Sequence, residues 1–163
     1  MSGGAPGADP AITTELRLPS RLGFEKVAMS TAATVAELMG FPEDRVEDLK
    51  TAVSEACINA IEHGNRLDAS QTVLVILSIA EKTLEVRVVD DGPGAAKRPV
   101  RAPDMDRKMH GEEDPRGMGM FLIQSLVDEA EWVTDKRRGS YARLAIHLDR
   151  EKQVSNASAS TPN

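Results

Sequence analysis

Leu49 to Asn65 reads LKTAVSEACINAIEHGN, and its periodicity decides what kind of domain the chain builds. At roughly 100° per residue, Val46, Leu49, Val53, Ala56 and Ala60 fall on one stripe of a helix, whereas Glu55, Asn59, Glu62 and His63 fall within a narrow arc of the other side. One face packs and the other is polar. Glu55 and Asn59 lie one helical turn apart, so a carboxylate and an amide can reach a common metal, water or hydroxyl. Taken alone, a polar helix face of this kind is ordinarily solvated. Two stretches downstream give it a chemical meaning.

Asp90-Asp91-Gly92-Pro93-Gly94 follows a strand-like run, and Arg116-Gly117-Met118-Gly119 opens an apolar helical pattern. Separately, the first is a turn after a strand, with glycine supplying positive φ, and the second only permits close packing. Mechanically they offer more. A helix N-terminus exposes unpaired N–H groups and about half a positive charge, so Gly117 to Met120 could cradle a phosphate. Asp90, held at a strand end, could accept a hydrogen bond from an exocyclic amine and so select adenine.

Working outward, residues 1–10 are rich in Gly, Ala and Pro and are expected as a tail. Ile12 to Leu18 alternates apolar and polar positions as a half-buried strand does, and Pro19-Ser20 stops it, with Ser20 a candidate cap for the helix that follows. That helix is expected over 21–39 and ends at Gly40. Pro42, Glu43 and Asp44 suit the start of the next helix, which runs to about His63 with Gly64-Asn65 as its stop. Val73–Ala80 and Leu84–Asp90 form a hairpin of antiparallel strands. Residues 95–116 are charged, aperiodic and punctuated by prolines, and are expected as a lid. A helix over 117–128 turns Phe121, Leu122, Leu126 and Val127 inward. Glu131–Asp135 and Tyr141–Leu148 close the sheet, and residues 150–163 form a second tail.

A chain of 163 residues accommodates one domain with a substantial core. Aromatics make up only 3% of it, so that core must be aliphatic. A formal charge of −6 and a pI near 5.1 argue against a nucleic-acid binder, which would need a basic surface. The single cysteine, Cys57, lies beside the buried stripe and has no internal disulfide partner. No apolar run is long enough to cross a bilayer, and no signal-peptide pattern opens the chain, so a cytoplasmic protein without a membrane partner is expected.

Glu55-x-x-x-Asn59-Ala60, Asp90-x-Gly92-x-Gly94 and Arg116-Gly117-Met118-Gly119 together resemble the N box and the two glycine boxes of the GHKL ATPase superfamily. Within it, AVSEACINAIEHGN and RGMGMFLIQSLVDE are similar to the bacterial anti-sigma factor serine-protein kinases. The likeness runs from about Ile12 to Leu148. It implies the Bergerat fold: an α/β sandwich with a mixed, mostly antiparallel sheet covered on one face by three helices, over a kinase domain spanning 11–149.

The resemblance further implies ATP and Mg²⁺ as cofactors. Asn59 would coordinate the metal through its side-chain oxygen, and Glu55 would be the general base for a substrate serine. Asp90 would bind the adenine amine, Gly92 and Gly94 would shape the base pocket, and Gly117 and Gly119, with Met118 and Met120, would meet the phosphates. Ser140 stands where the family often has a threonine supporting the adenine-binding aspartate. His63 and Arg116 are further candidates for nucleotide contact. The implied partners are a sigma factor, an anti-anti-sigma protein phosphorylated on serine, and a second copy of the chain in a homodimer. An alternative stays open: a non-catalytic ATP/ADP-binding switch that sequesters a partner. A sensor histidine kinase fits less well, because Ser54 rather than His precedes Glu55.

Overall fold

Alternation along the strands and a stripe along each helix set the core between the helices and one face of the sheet. The computed structural model describes residues 12–91, 115–135 and 139–150. Its elements are β1 (Ile12–Pro19), α1 (Glu25–Met39), α2 (Glu43–Asn59) continued by a π-helical turn (Ala60–Gly64), β2 (Thr72–Ala80), β3 (Thr83–Asp90), α3 (Pro115–Leu126), β4 (Glu129–Asp135) and β5 (Gly139–His147). The strands form one sheet in the order β1-β2-β3-β5-β4. All of its pairings among the described residues are antiparallel, so the sheet expected to be mixed and mostly antiparallel has no parallel pair there.

Burial follows the pleat. Val73, Val75 and Leu77 on β2, Leu84, Val86 and Val88 on β3, and Ala142, Leu144 and Ile146 on β5 are buried beneath the helices. The intervening Leu74, Ile76, Glu85 and Arg143 are only half-buried, so helices cover one face. Core aliphatics of this size contribute about 1.5–3 kcal/mol each when fully buried.

Helix α2 is the central helix. Val46, Leu49, Val53, Ala56 and the following Ala60 are all buried, as the stripe predicts. It packs against both α1 and α3 and reaches β3 and β5. The buried residues of α1 are all alanines, Ala28, Ala32, Ala33 and Ala36, with Val35 and Met39 packed half-buried beside them, so the two helix backbones can approach closely. Gly40 ends α1 at φ 89°, and its N–H bonds the Glu37 carbonyl.

Two local expectations are corrected. Ser20 does not cap α1, whose N-cap is Phe24 without a side-chain bond. Ser20 is instead buried and accepts a hydrogen bond from Asn65 Nδ2 at 3.1 Å. In α3, Phe121 points outward at 37% exposure, while Ile123 is fully buried. The two residues lie about 200° apart around the helix, on nearly opposite sides, and packing against α2 decides which side is buried.

At the end of α2 remote from Asn59, Arg45 is buried and donates from Nη2 to Asp128 Oδ2 at 2.5 Å. The same oxygen accepts the His147 N–H at 2.7 Å. Arg45 and Asn59 are about 21 Å apart along the axis at 1.5 Å per residue. The pair therefore fixes the start of α2 to the junction of α3 and β4, well away from the polar face around Glu55 and Asn59. Residues 1–10, the expected lid over 95–114 and residues 151–163 lie outside the described residues. Pro115 and Arg116, expected in the lid, open α3.

Candidate nucleotide-binding cleft

Strand registers bring the site together. Asp90 pairs with Ser140, which pairs with Thr134, giving a polar rung across β3, β5 and β4. One step inward, Val88 pairs with Ala142, which pairs with Trp132, giving an apolar rung. In both rungs the middle residue is small, so the sheet surface is troughed along β5. Ala56, Asn59 and Ala60 from α2 and its extension, with Met120 from α3, cover this trough. The resulting cleft opens to solvent, and water-sized centres fill about 40 Å³ of it.

Glu55 and Asn59 meet the start of α3. A Cβ at Gly119 would lie 3.1 Å from Glu55 Oε2, 3.3 Å from Asn59 Nδ2 and 3.5 Å from Asn59 Oδ1. Only a residue without a side chain lets the helix sit this close without pressing on both groups. Glu55 and Asn59 are half-buried, and Asn59 Nδ2 is buried with no hydrogen-bond partner. Ser140 Oγ, on the opposite wall, is also buried and unpartnered. Buried polar atoms without partners are uncommon, and where two of them line one open cleft a ligand or water can supply the bond.

Gly64 does for Asp90 what Gly119 does for Glu55. A Cβ at Gly64 would overlap the Asp90 carboxylate, with Oδ1 at 2.7 Å. The π turn over Ala60–Gly64 brings this glycine against β3, and such turns are often found at functional sites.

Of the residues expected from sequence, Asn59, Asp90, Met120 and Ser140 line the cleft, and Glu55 and Gly119 meet beside it. Met118 is half-buried in α3, whose first turn contains Arg116 and Gly117. His63 is not among the lining residues; its Nε2 lies 3.9 Å from Glu62 Oε2. Gly92 and Gly94 lie outside the described residues. Val88, Trp132, Thr134, Tyr141, Ala142 and Gly64 were not anticipated. The alternation of β3 places Val88 on the face of Asp90, but only the register assigns the residues of β4 and β5. Burial pushes the Cys57 thiol up to about 12, so this neighbour of the site is an inert packing residue.

The family model for the histidine kinase-like ATPase domain matches residues 18–146. The chain belongs to this family. It is similar to the serine-protein kinase RsbW of Bacillus thuringiensis (strain Al Hakam), 31% identical over 147 residues, covering 87% of this chain and 88% of the relative. RsbW of Bacillus cereus (strain B4264) is 30% identical over the same shares. Likeness over nearly the whole of both lengths places the chain with the RsbW serine-protein kinases among the ATPases. The solved RsbU and RsbW domains of Rv1364c from Mycobacterium tuberculosis share its fold, with a TM-score of 0.60 at 19% identity over 87% of this chain. This chain spans 34% of that longer one. No helix among the described residues is long and apolar enough to cross a membrane.

The donor set around Glu55 and Asn59 suits the kinase assignment. Carboxylate and amide oxygens are hard ligands of the kind Mg²⁺ takes, and Mg²⁺ is usually held by one or two protein groups with phosphates and waters completing the shell.

Proposed function

We propose that the chain transfers the γ-phosphoryl group of ATP to a serine of a small anti-anti-sigma protein, and that it reversibly sequesters a sigma factor in the cytoplasm. The observation that supports it most is the meeting of Glu55 and Asn59 at the Gly119 position of α3. That juxtaposition joins a base, a metal ligand and a phosphate-binding helix start.

In this reading Asp90 accepts a hydrogen bond from the exocyclic amine of adenine, and Ser140 Oγ bonds the base or its bridging water. The apolar rung and Met120 exclude solvent from the ring. The free N–H groups in the first turn of α3, at Arg116 and Gly117, bind phosphate oxygens, and Gly119 adds no side chain to the approach. Asn59 Oδ1 would hold Mg²⁺, which when bound would neutralise phosphate charge. Glu55 accepts the proton of the substrate hydroxyl as its oxygen attacks, which is the one proton movement the transfer requires. Gly92, Gly94, His63 and Arg116 are further contacts of the same nucleotide. The sigma factor, the anti-anti-sigma protein and a homodimer are the partners this function calls for.

Glu55→Gln tests the chemistry, because the amide fills the same volume without taking a proton. It should bind ADP like the parent and slow phosphoryl transfer by about 10²–10⁴-fold. Transfer at the parental rate would remove Glu55 as base. Capture of sigma factors under ATP and under ADP tests sequestration separately; equal capture of none under either nucleotide would remove that half of the proposal.

A further inference from the structure

Asn65 follows the helix that holds Glu55 and Asn59, yet its side chain binds the ends of three strands. It is 2% exposed. Nδ2 donates to Ser20 Oγ, just beyond β1, at 3.1 Å and to the carbonyl of Thr72, the first residue of β2, at 3.1 Å. Oδ1 accepts the N–H of Asp91 at 2.9 Å. The backbone N–H of Asn65 closes the π turn onto Ala60 O at 2.7 Å. Arg66 and Leu67 then take positive φ, 53° and 59°, a conformation that side-chain-bearing residues hold only where their surroundings impose it.

The bond to Asp91 falls where β3 loses its ladder. Pairing with β2 ends at Val89 opposite Leu74, and pairing with β5 ends at Asp90 opposite Ser140. Beyond Asp90, the next N–H is held by Asn65 and not by a strand. On the other side of Asp90, Gly64 lies against the carboxylate, one residue from Asn65. Asp90 is thus located by two consecutive residues of one turn, through its neighbour's backbone and through direct contact.

Given the reading of Asp90 as the residue that binds the base, we propose that Asn65 is a positioning residue for nucleotide recognition. Its Oδ1 fixes the chain at Asp91 so that the Asp90 carboxylate meets the exocyclic amine. The arms to Ser20 and Thr72 anchor the clip to the sheet. Because Glu55 and Asn59 precede the turn, loss of the clip moves affinity and leaves the chemistry of transfer in place.

The test uses the full chain, with ADP and ATP affinity by calorimetry, transfer at saturating ATP and thermal melting on the same preparations. Asn65→Ala should weaken both nucleotides about 10-fold or more, raising KM with kcat unchanged. Ser20→Ala and Asn65→Asp keep an acceptor for the Asp91 N–H; both should melt earlier and bind ADP like the parent. Affinity falling in step with Tm across the three variants would reduce Asn65 to a structural role and overturn the proposal, as would parental ADP affinity in Asn65→Ala. If Asn65→Ala does not fold, the other two decide by the same criterion. Asp90→Asn is measured alongside. Parental affinity there removes the reading of Asp90 and this proposal with it, whereas loss there with none in Asn65→Ala removes the positioning role alone.

Discussion

On the open face of the sheet, Arg143 of β5 donates to Glu85 of β3 at 2.6 Å and to Glu129 of β4 at 3.0 Å. His147, two residues away from Ala145 on the same strand, reaches Glu129 at 2.7 Å, and Arg87 reaches Glu85 at 2.7 Å. Across the same strands, on the covered face, Asn59 Nδ2 and Ser140 Oγ are buried with no partner. They are two of the four such side-chain atoms among the described residues, beside Arg45 Nε and Gln71 Oε1. One face satisfies its polar groups internally, and the other keeps two of them aimed at a cleft. Pairing on the open face has a local electrostatic result: hydrogen bonds from Arg143 and then His147 hold the Glu129 carboxyl below its ordinary value. Asn59 Nδ2 and Ser140 Oγ receive no such bond from the protein's own residues, and in the proposed reading a bound nucleotide supplies it.

Mutations on the two faces should therefore differ in what they change. Asn59→Ala should have the largest effect, lowering Mg·ATP binding and phosphoryl transfer together by at least the roughly 10–100-fold that even an outer-shell metal partner supplies. Melting should hardly change, since an unpartnered amide is removed. A large loss of Tm with unchanged Mg·ATP affinity would break the contrast between the faces. Asp90→Asn should weaken ATP by about 10–100-fold, equivalent to a charged hydrogen bond of 1.5–3 kcal/mol, measured by calorimetry.

Gly64→Ala should follow, at about 1–3 kcal/mol divided between melting and ATP affinity, because a methyl group must displace the Asp90 carboxylate or the π turn. On the open face, Glu129→Gln should leave ATP affinity unchanged and cost no more than about 1 kcal/mol, the usual limit for exposed ion pairs. Its pH dependence has a definite sign. The folded carboxyl titrates below the unfolded value of 4.5, so the contribution is present above that pH and is lost as pH falls through the folded value. The parent and the variant should therefore converge in Tm on acidification, and divergence would contradict the pairing.

How much of this was legible in the sequence depended on whether the information was local. The stripe of α2 was legible because Val46, Leu49, Val53, Ala56 and Ala60 repeat with the helix period, and Glu55 and Asn59 stand opposite them by the same period. The hairpin ending in Asp90 and the stop at Gly40 rest on short-range turn chemistry. Phe121 and Ile123 were harder, because a short, broadly apolar helix is read only once its neighbour is known. Trp132 and Thr134 entered the cleft through the register of β4 on β5, and no residue pattern within either strand sets that alignment. Gly64 and Asn65 were legible as the end of a helix. Their contacts with Asp90 and Asp91 join segments distant in sequence and appear only when the strands are assembled.

The central claim is that the partnerless polar atoms of the cleft belong to a phosphoryl-transfer site. Incubation of the unmutated chain with γ-labelled ATP, Mg²⁺ and a panel of single-domain anti-anti-sigma proteins, scored for phosphoserine, tests it most directly. The account predicts label on a serine of one partner, abolished by omitting Mg²⁺. Tight ATP binding by calorimetry with no label on any partner would contradict it and leave a nucleotide-gated binding module in its place.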